Sequence, residues 1–169
     1  MSSPLLLALD QGTQSSRAML FDAKGELVAR VQRNIESYVS PAPGQAEQDA
    51  DYFWQQLCQA CQTLWQQHDD LRERVRAVAL TTQRASPVCL DADMTPLRPA
   101  VIWLDQRRTA AFPRLPWYWR WPVALAGQGD TLRQFPSKAE CNWLAADEPD
   151  LLSRTRHFVF VSASLNGRR

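Results

Sequence analysis

Residues 5–22 read LLLALDQGTQSSRAMLFD, two apolar runs joined by a short polar turn. Leu5, Leu6, Leu7, Ala8 and Leu9 run without polar alternation, the pattern of a strand buried on both faces. Asp10 ends that strand, and Gln11, Gly12, Thr13, Gln14 and Ser15 supply the turn. Gly12 lets the backbone come close to a ligand, and the Thr and Ser hydroxyls add donors beside the amides. Such a turn can hold phosphate oxygens, and Arg17 adds a fork of charge-assisted donors. Asp10 then stands where one carboxylate can hold a hydrated magnesium ion beside the phosphates. The alternative is an ordinary hairpin around a Gly turn, and pattern alone does not separate the two.

Working outward, residues 22–26, DAKGE, form a turn, and residues 27–31 make a third strand that completes a meander. After an irregular stretch over residues 34–44, Asp49 is placed to cap a helix. Phe53, Trp54, Leu57, Cys58, Cys61, Leu64 and Trp65 recur there at helical spacing. VRAVAL, residues 75–80, is a further strand. Three strands, a helix and a strand predict a mixed sheet with a crossover helix. Gln83 and Arg84 leave the end of the last strand, where ligands of open α/β sheets bind. Two short strands follow over residues 87–90 and 99–104, and Arg107 and Arg108 are read as opening a helix that ends near Pro113. PRLPWYWRWP, residues 113–122, crowds three tryptophans and a tyrosine between prolines. Its aromatics and arginines suit a nucleic-acid platform or a membrane wedge. A near-neutral chain without a basic stripe argues against both, which leaves a loop packed on the domain or on a part of the protein outside this chain, and sticky if uncovered. Residues 137–147 are read as a helix capped by Ser137, and HFVFV, residues 157–161, as a strand leading into a helix through Leu165.

The composition suits an enzyme domain. A length of 169 residues with 45% hydrophobic content can enclose a sizeable core. Nineteen Lys and Arg against eighteen Asp and Glu leave a net charge of +1, so no field for nucleic acid stands out. The opening MSSPLLLALD lacks a basic region, and its apolar run is too short for a signal peptide or a membrane span. These features lead to the expectation of a soluble, cytoplasmic protein. Cys58 and Cys61 form a CxxC inside the predicted helix, while Cys89 and Cys141 stand alone, so no second pair completes a zinc site. Packed, reduced thiols are expected. His68 and His157 have no nucleophile nearby in sequence and are read as structural or surface residues.

DQGTQSSRAMLFDAKGELVA resembles the opening phosphate motif of the FGGY carbohydrate kinases, a branch of the actin, Hsp70 and hexokinase superfamily. PAPGQAEQDADYFW, residues 41–54, and AVALTTQRASPVCLDADMTPLRPAVIWLDQRR, residues 77–108, are similar to the family's next two blocks, in the same order. The resemblance implies an α/β fold of the ribonuclease H-like type, a mixed sheet with flanking helices. It covers nearly the whole chain but only the first part of the family's first domain. Residues 1–169 are therefore expected to be a partial N-terminal kinase domain, truncated before its end, with the second domain absent.

The function implied is transfer of the γ-phosphoryl of ATP to a hydroxyl of a sugar or polyol. Asp10, Gly12, Thr13, Gln14, Ser15 and Arg17 would hold ATP and Mg2+, with Asp10 at the metal. Gln83, Arg84, Trp103 and Asp105 would face the substrate. Where the glycerol kinases carry Arg-Glu and the xylulose kinases Met-His, this chain has Arg84-Ala85. One polar contact is thereby removed, which counts against glycerol. The family's catalytic Asp, the general base, lies beyond Arg169. Asp105 is a conceivable stand-in, although nothing in the sequence brings it to the reacting hydroxyl. Because phosphoryl transfer depends on positioning, the isolated chain is expected to be inactive. The alternative is a non-catalytic remnant or interaction domain with at most weak nucleotide binding. An exposed face left by the missing part predicts poor solubility or homodimerisation.

Overall fold

The computed structural model describes residues 3–111, 116–127 and 129–167. Its centre is a four-stranded mixed sheet in the order β3-β2-β1-β5. β1 (Leu5–Gln11), β2 (Ser15–Asp22) and β3 (Leu27–Asn34) form the antiparallel meander, and β5 (Val75–Thr82) runs parallel to β1 on its far side. The register places Leu7 opposite Leu20, and Asp10 opposite both Arg17 and Thr81. β4 (Glu47–Gln48) leads into α1 (Ala50–Gln67), which is the crossover from β3 to β5. The mixed α/β architecture expected from the strand and helix pattern is the one observed.

α1 begins as its sequence indicates, with the Asp49 carboxylate accepting the Asp51 N–H at 2.8 Å. Ala50, Phe53, Leu57, Ala60 and Leu64 form its buried stripe. Leu64 and Ala60 meet Leu5, Leu7, Ala18, Leu20, Ala29 and Val31 of the sheet. Phe53 and Leu57 pack in a second cluster with Val88, Leu90, Ile102, Val161 and Leu165. A six-residue 3₁₀ turn, Asp69–Arg74, then brings the chain back to β5. The helix lies over the meander rather than over β5, so Val78 remains 61% exposed although its strand is apolar.

The second half is built from short elements. β6 (Pro87–Leu90) pairs with β8 (His157–Phe160), and β4 pairs with β7 (Ala100–Val101). Every residue of β6 is buried, with Val88 and Leu90 in the Phe53 cluster and Cys89 in a third with Val101, Trp143 and Leu144. α2 (Trp117–Leu125), α3 (Gly129–Lys138), α4 (Glu140–Asp147), α5 (Pro149–Arg154) and α6 (Val161–Asn166) complete the chain.

Three local expectations are corrected. Residues 106–111 carry no helix, because Gln106 N–H is drawn to Gly44 O at 2.8 Å and the Arg107 guanidinium is held by Asp105 and Glu47. The end proposed for that helix, Pro113, lies outside the described residues. The tryptophan-rich segment is a helix from Trp117 rather than a packed loop, and Trp117 and Trp121 are 76% and 75% exposed. Ser137 closes α3, and the following helix starts at Glu140 with Ala139 at its cap. Among the described residues no helix is long and apolar enough to cross a membrane.

Candidate functional site

β1 and β2 are joined through residues 12–14, and the Gly12 N–H donates to Ser15 O at 2.9 Å to close the turn. A Cβ on Gly12 would lie 3.2 Å from that carbonyl oxygen, so a larger residue would force the turn to give. Beneath it Gln11 is fully buried. Its Nε2 donates to Gly12 O at 3.2 Å, and its Oε1 accepts the Ser16 hydroxyl at 2.5 Å. Gln14 O accepts the N–H of Ile35 at 3.0 Å. Among the described residues the backbone N–H groups of Thr13 and Gln14 donate to nothing, leaving two adjacent amides at the tip for an anion.

The structure joins this turn to the strand-end residues through one hydroxyl. Thr13 Oγ1 donates to Gln83 Oε1 at 2.8 Å and accepts the indole N–H of Trp103 at 3.0 Å. Gln83 is carried there because β5 continues its parallel pairing one residue further, with Gln83 N–H on Gln11 O at 2.8 Å. The Gln83 Nε2 is buried without a partner among the described residues. Trp103 is 53% exposed, so its ring offers a face beside the turn. Arg84 is exposed, and Ala85 after it has φ 51°, a left-handed conformation that costs a non-glycine residue about 1 kcal/mol or more and that recurs at binding sites.

Asp10 and Arg17 sit at the mouth of the turn as cross-strand partners, with Nη1 to Oδ2 at 2.5 Å and side chains 22% and 35% exposed. Arg17 Nε also donates to Gln32 Oε1 at 3.2 Å. No group of three His, Cys, Asp or Glu side chains converges as a metal cage among the described residues. Magnesium does not require one, since it is commonly held by one or two carboxylates together with phosphate oxygens and water. One half-buried carboxylate, that of Asp10, near two open amides fits that mode. Ser15 is buried and contributes its carbonyl to the turn.

Asp105 departs from the expectation of a residue facing substrate. Its side chain is 5% exposed, and both oxygens are engaged, Oδ1 by Arg107 N–H at 2.9 Å and Oδ2 by Ala46 N–H at 2.9 Å and Arg107 Nη2 at 2.7 Å. Burial alone would raise its pKa, but the bonds from Arg107 and the Ala46 amide outweigh it and hold the carboxyl below the usual range. Arg107 also binds Glu47 at 2.6 Å and stacks over Trp143 at 4.1 Å, while Arg98 bridges Glu47 and Glu148. Gln11, Ser16, Glu47, Arg98 and Trp143 were not legible as parts of this neighbourhood. Gln11 and Ser16 belong to the opening motif, but nothing in it says which polar residues turn inward.

A sequence profile of the FGGY family of carbohydrate kinases, N-terminal domain, matches residues 5–168. The chain belongs to this family. It is 38% identical to a glycerol kinase of Rhodospirillum rubrum over 112 residues, 66% of this chain and 22% of that protein. It is 34% identical to a glycerol kinase of Herminiimonas arsenicoxydans over 146 residues, 85% of this chain and 29% of the relative. This FGGY chain thus spans less than a third of the length of either. The crystal structure of a xylulose kinase from Rhodospirillum rubrum shares the fold with a TM-score of 0.75 at 21% identity, covering 96% of this chain and 33% of that one. The FGGY fold and its α/β mixed sheet are therefore common to both, while the glycerol and xylulose named for these relatives are theirs.

Proposed function

We propose that this chain is the partial N-terminal domain of an ATP-dependent carbohydrate kinase and supplies the phosphate turn and one wall of the acceptor site. The observation that carries the reading is the convergence on Thr13. A turn with two open amides, Gln83 at the end of β5 and the exposed Trp103 beyond β7 meet at a single hydroxyl. In phosphoryl transfer the donor phosphate and the acceptor hydroxyl must be held together and in line. A residue touching both walls is suited to fixing their separation.

The open amides of Thr13 and Gln14 would cradle phosphate oxygens, with Gly12 and Ser15 closing the turn beneath them. Arg17 would share its guanidinium between Asp10 and a phosphate, and Asp10 would hold magnesium. Bound ATP would supply the γ-phosphoryl group, with magnesium neutralising charge on it. Gln83 and Arg84 would donate to hydroxyls of a sugar or polyol, and Trp103 would cover an apolar ring or carbon face. Ala85 offers no polar group, which favours an acceptor other than glycerol. A cytoplasmic location accords with a metabolic kinase.

Calorimetric titration with Mg-ATP, beside an Asp10→Ala variant, tests the reading. Binding by the wild type that is lost in the variant supports it, and absence of any binding refutes it. A sugar-dependent ADP assay on the same sample is expected to show no turnover, because Asp105, the carboxylate two residues from Trp103, is buried and paired with Arg107 and so is not free to serve as base.

A further inference from the structure

We propose that Asp105, together with Arg107, is a positioning residue that holds the Trp103 indole on Thr13 and so sets the shape of the phosphate turn. This rests on the reading of residues 12–14 as a phosphate site. Trp103 lies on a tight bend in which Asp105 N–H returns to Ile102 O at 2.8 Å. Ile102 N–H donates to Ala46 O at 2.9 Å, and Ala46 N–H donates to Asp105 Oδ2 at 2.9 Å. These three bonds close a ring across the bend and tie both flanks of Trp103 to the strand leading into α1. Ser86 Oγ, buried beneath, accepts the Trp103 backbone N–H at 3.3 Å.

The side chain of Trp103 itself is exposed, and among the described residues its one polar bond is to Thr13. Its direction is therefore set by the backbone at residues 102–105 rather than by packing. Asp105 fixes that backbone, and Arg107 fixes Asp105. The guanidinium meets both Asp105 oxygens, reaches Glu47, and sits over the Trp143 ring of α4 at 4.1 Å from its centroid. A charge cluster that only stapled β4 to β7 would have no reason to influence Thr13. One acting through the bend must do so.

The seven tryptophans allow a direct readout. In 15N-labelled protein the Trp103 indole cross-peak is assigned by its loss in Trp103→Phe. Asp105→Asn is expected to move that peak toward the position it takes in Thr13→Ala, where the bond is absent, and to speed its exchange with water. Mg-ATP affinity should fall about three- to tenfold, the scale of one neutral hydrogen bond. In a Thr13→Ala background the same change should add almost nothing. Arg107→Lys keeps a cation without the fork and should act in the same direction more weakly, which covers the case of Asp105→Asn failing to fold. An unmoved Trp103 peak in both variants, or equal losses of affinity with and without Thr13, would overturn the proposal. Absence of Mg-ATP binding in the wild type would instead remove the phosphate reading, while the peak shifts would still decide whether Asp105 positions Trp103.

Discussion

The indole N–H of Trp103 donates to the hydroxyl of Thr13 at 3.0 Å across 90 residues of sequence. The hydroxyl has one proton, which goes to Gln83 Oε1, so Thr13 is at once acceptor and donor between two segments that sequence leaves far apart. Thr13→Val keeps the shape and deletes both bonds. Trp103 is exposed and water can replace Thr13 there, so the stability change should stay near 1 kcal/mol. Mg-ATP affinity should fall about three- to tenfold, because the turn loses the neutral bonds to Gln83 and Trp103 that hold its shape. Calorimetry and urea unfolding on one preparation check the pair of outcomes.

Arg17→Ala separates function from stability in the same way. The Asp10–Arg17 pair is partly open to solvent, and such pairs contribute about 0–1 kcal/mol. The urea midpoint should barely move while nucleotide binding is lost. A loss of several kcal/mol on unfolding would show instead that the pair is structural.

Leu20 is fully buried on the central strand β2 beneath α1. Leu20→Ala should cost about 3 kcal/mol through lost burial and a residual cavity. Exposed Val78 on β5 should tolerate Val78→Ala within about 0.5 kcal/mol. Thermal unfolding of both variants tests whether the sheet core is the one described.

The folded pKa of Asp105 is lowered from 3.8, where the unfolded chain titrates. The unfolded state therefore binds more protons in that range, and the stability this group contributes rises with pH. It is fully present above about pH 4 and is lost as pH falls through the lower folded value. Wild type and Asp105→Asn should differ most in urea midpoint at neutral pH and converge as the pH falls through the lowered folded pKa. A difference independent of pH would mean that the carboxylate charge is irrelevant.

Cys61 on α1 has its pKa pushed up to about 11 by burial and by neighbouring Cys58. Cys89 is also raised, mainly by burial. Cys141 is exposed. Iodoacetamide at pH 8 should alkylate Cys141 first and leave Cys61 and Cys89 protected until unfolding, as peptide mass analysis would show.

Much of this was legible in sequence for a definite reason. β1, the turn, β2, β3 and α1 are contiguous, and their apolar runs and the Asp49 cap are local signals that tertiary packing reinforces, although β1 is not buried on both faces as its unbroken run predicts, since Leu6 is exposed. The helix expected from Arg107 does not form because that arginine, which looks solvated in sequence, is drawn into buried pairs with Glu47 and Asp105. The family resemblance places Asp105 at a position where members often carry a polar residue near the substrate. Its carboxylate is instead turned to Ala46 and Arg107.

The amino-acid sequence by itself determined the strand-turn-strand that opens the chain, the crossover helix and the family to which they belong, because each rests on residues a few positions apart. Only the tertiary structure decided that Thr13, Gln83 and Trp103 meet, that Asp105 serves the bend rather than faces outward, and that Val78 stays uncovered. Those outcomes depend on where α1 lies across the sheet and on which buried charges find partners. Both are set by packing between distant segments, and no local pattern encodes it.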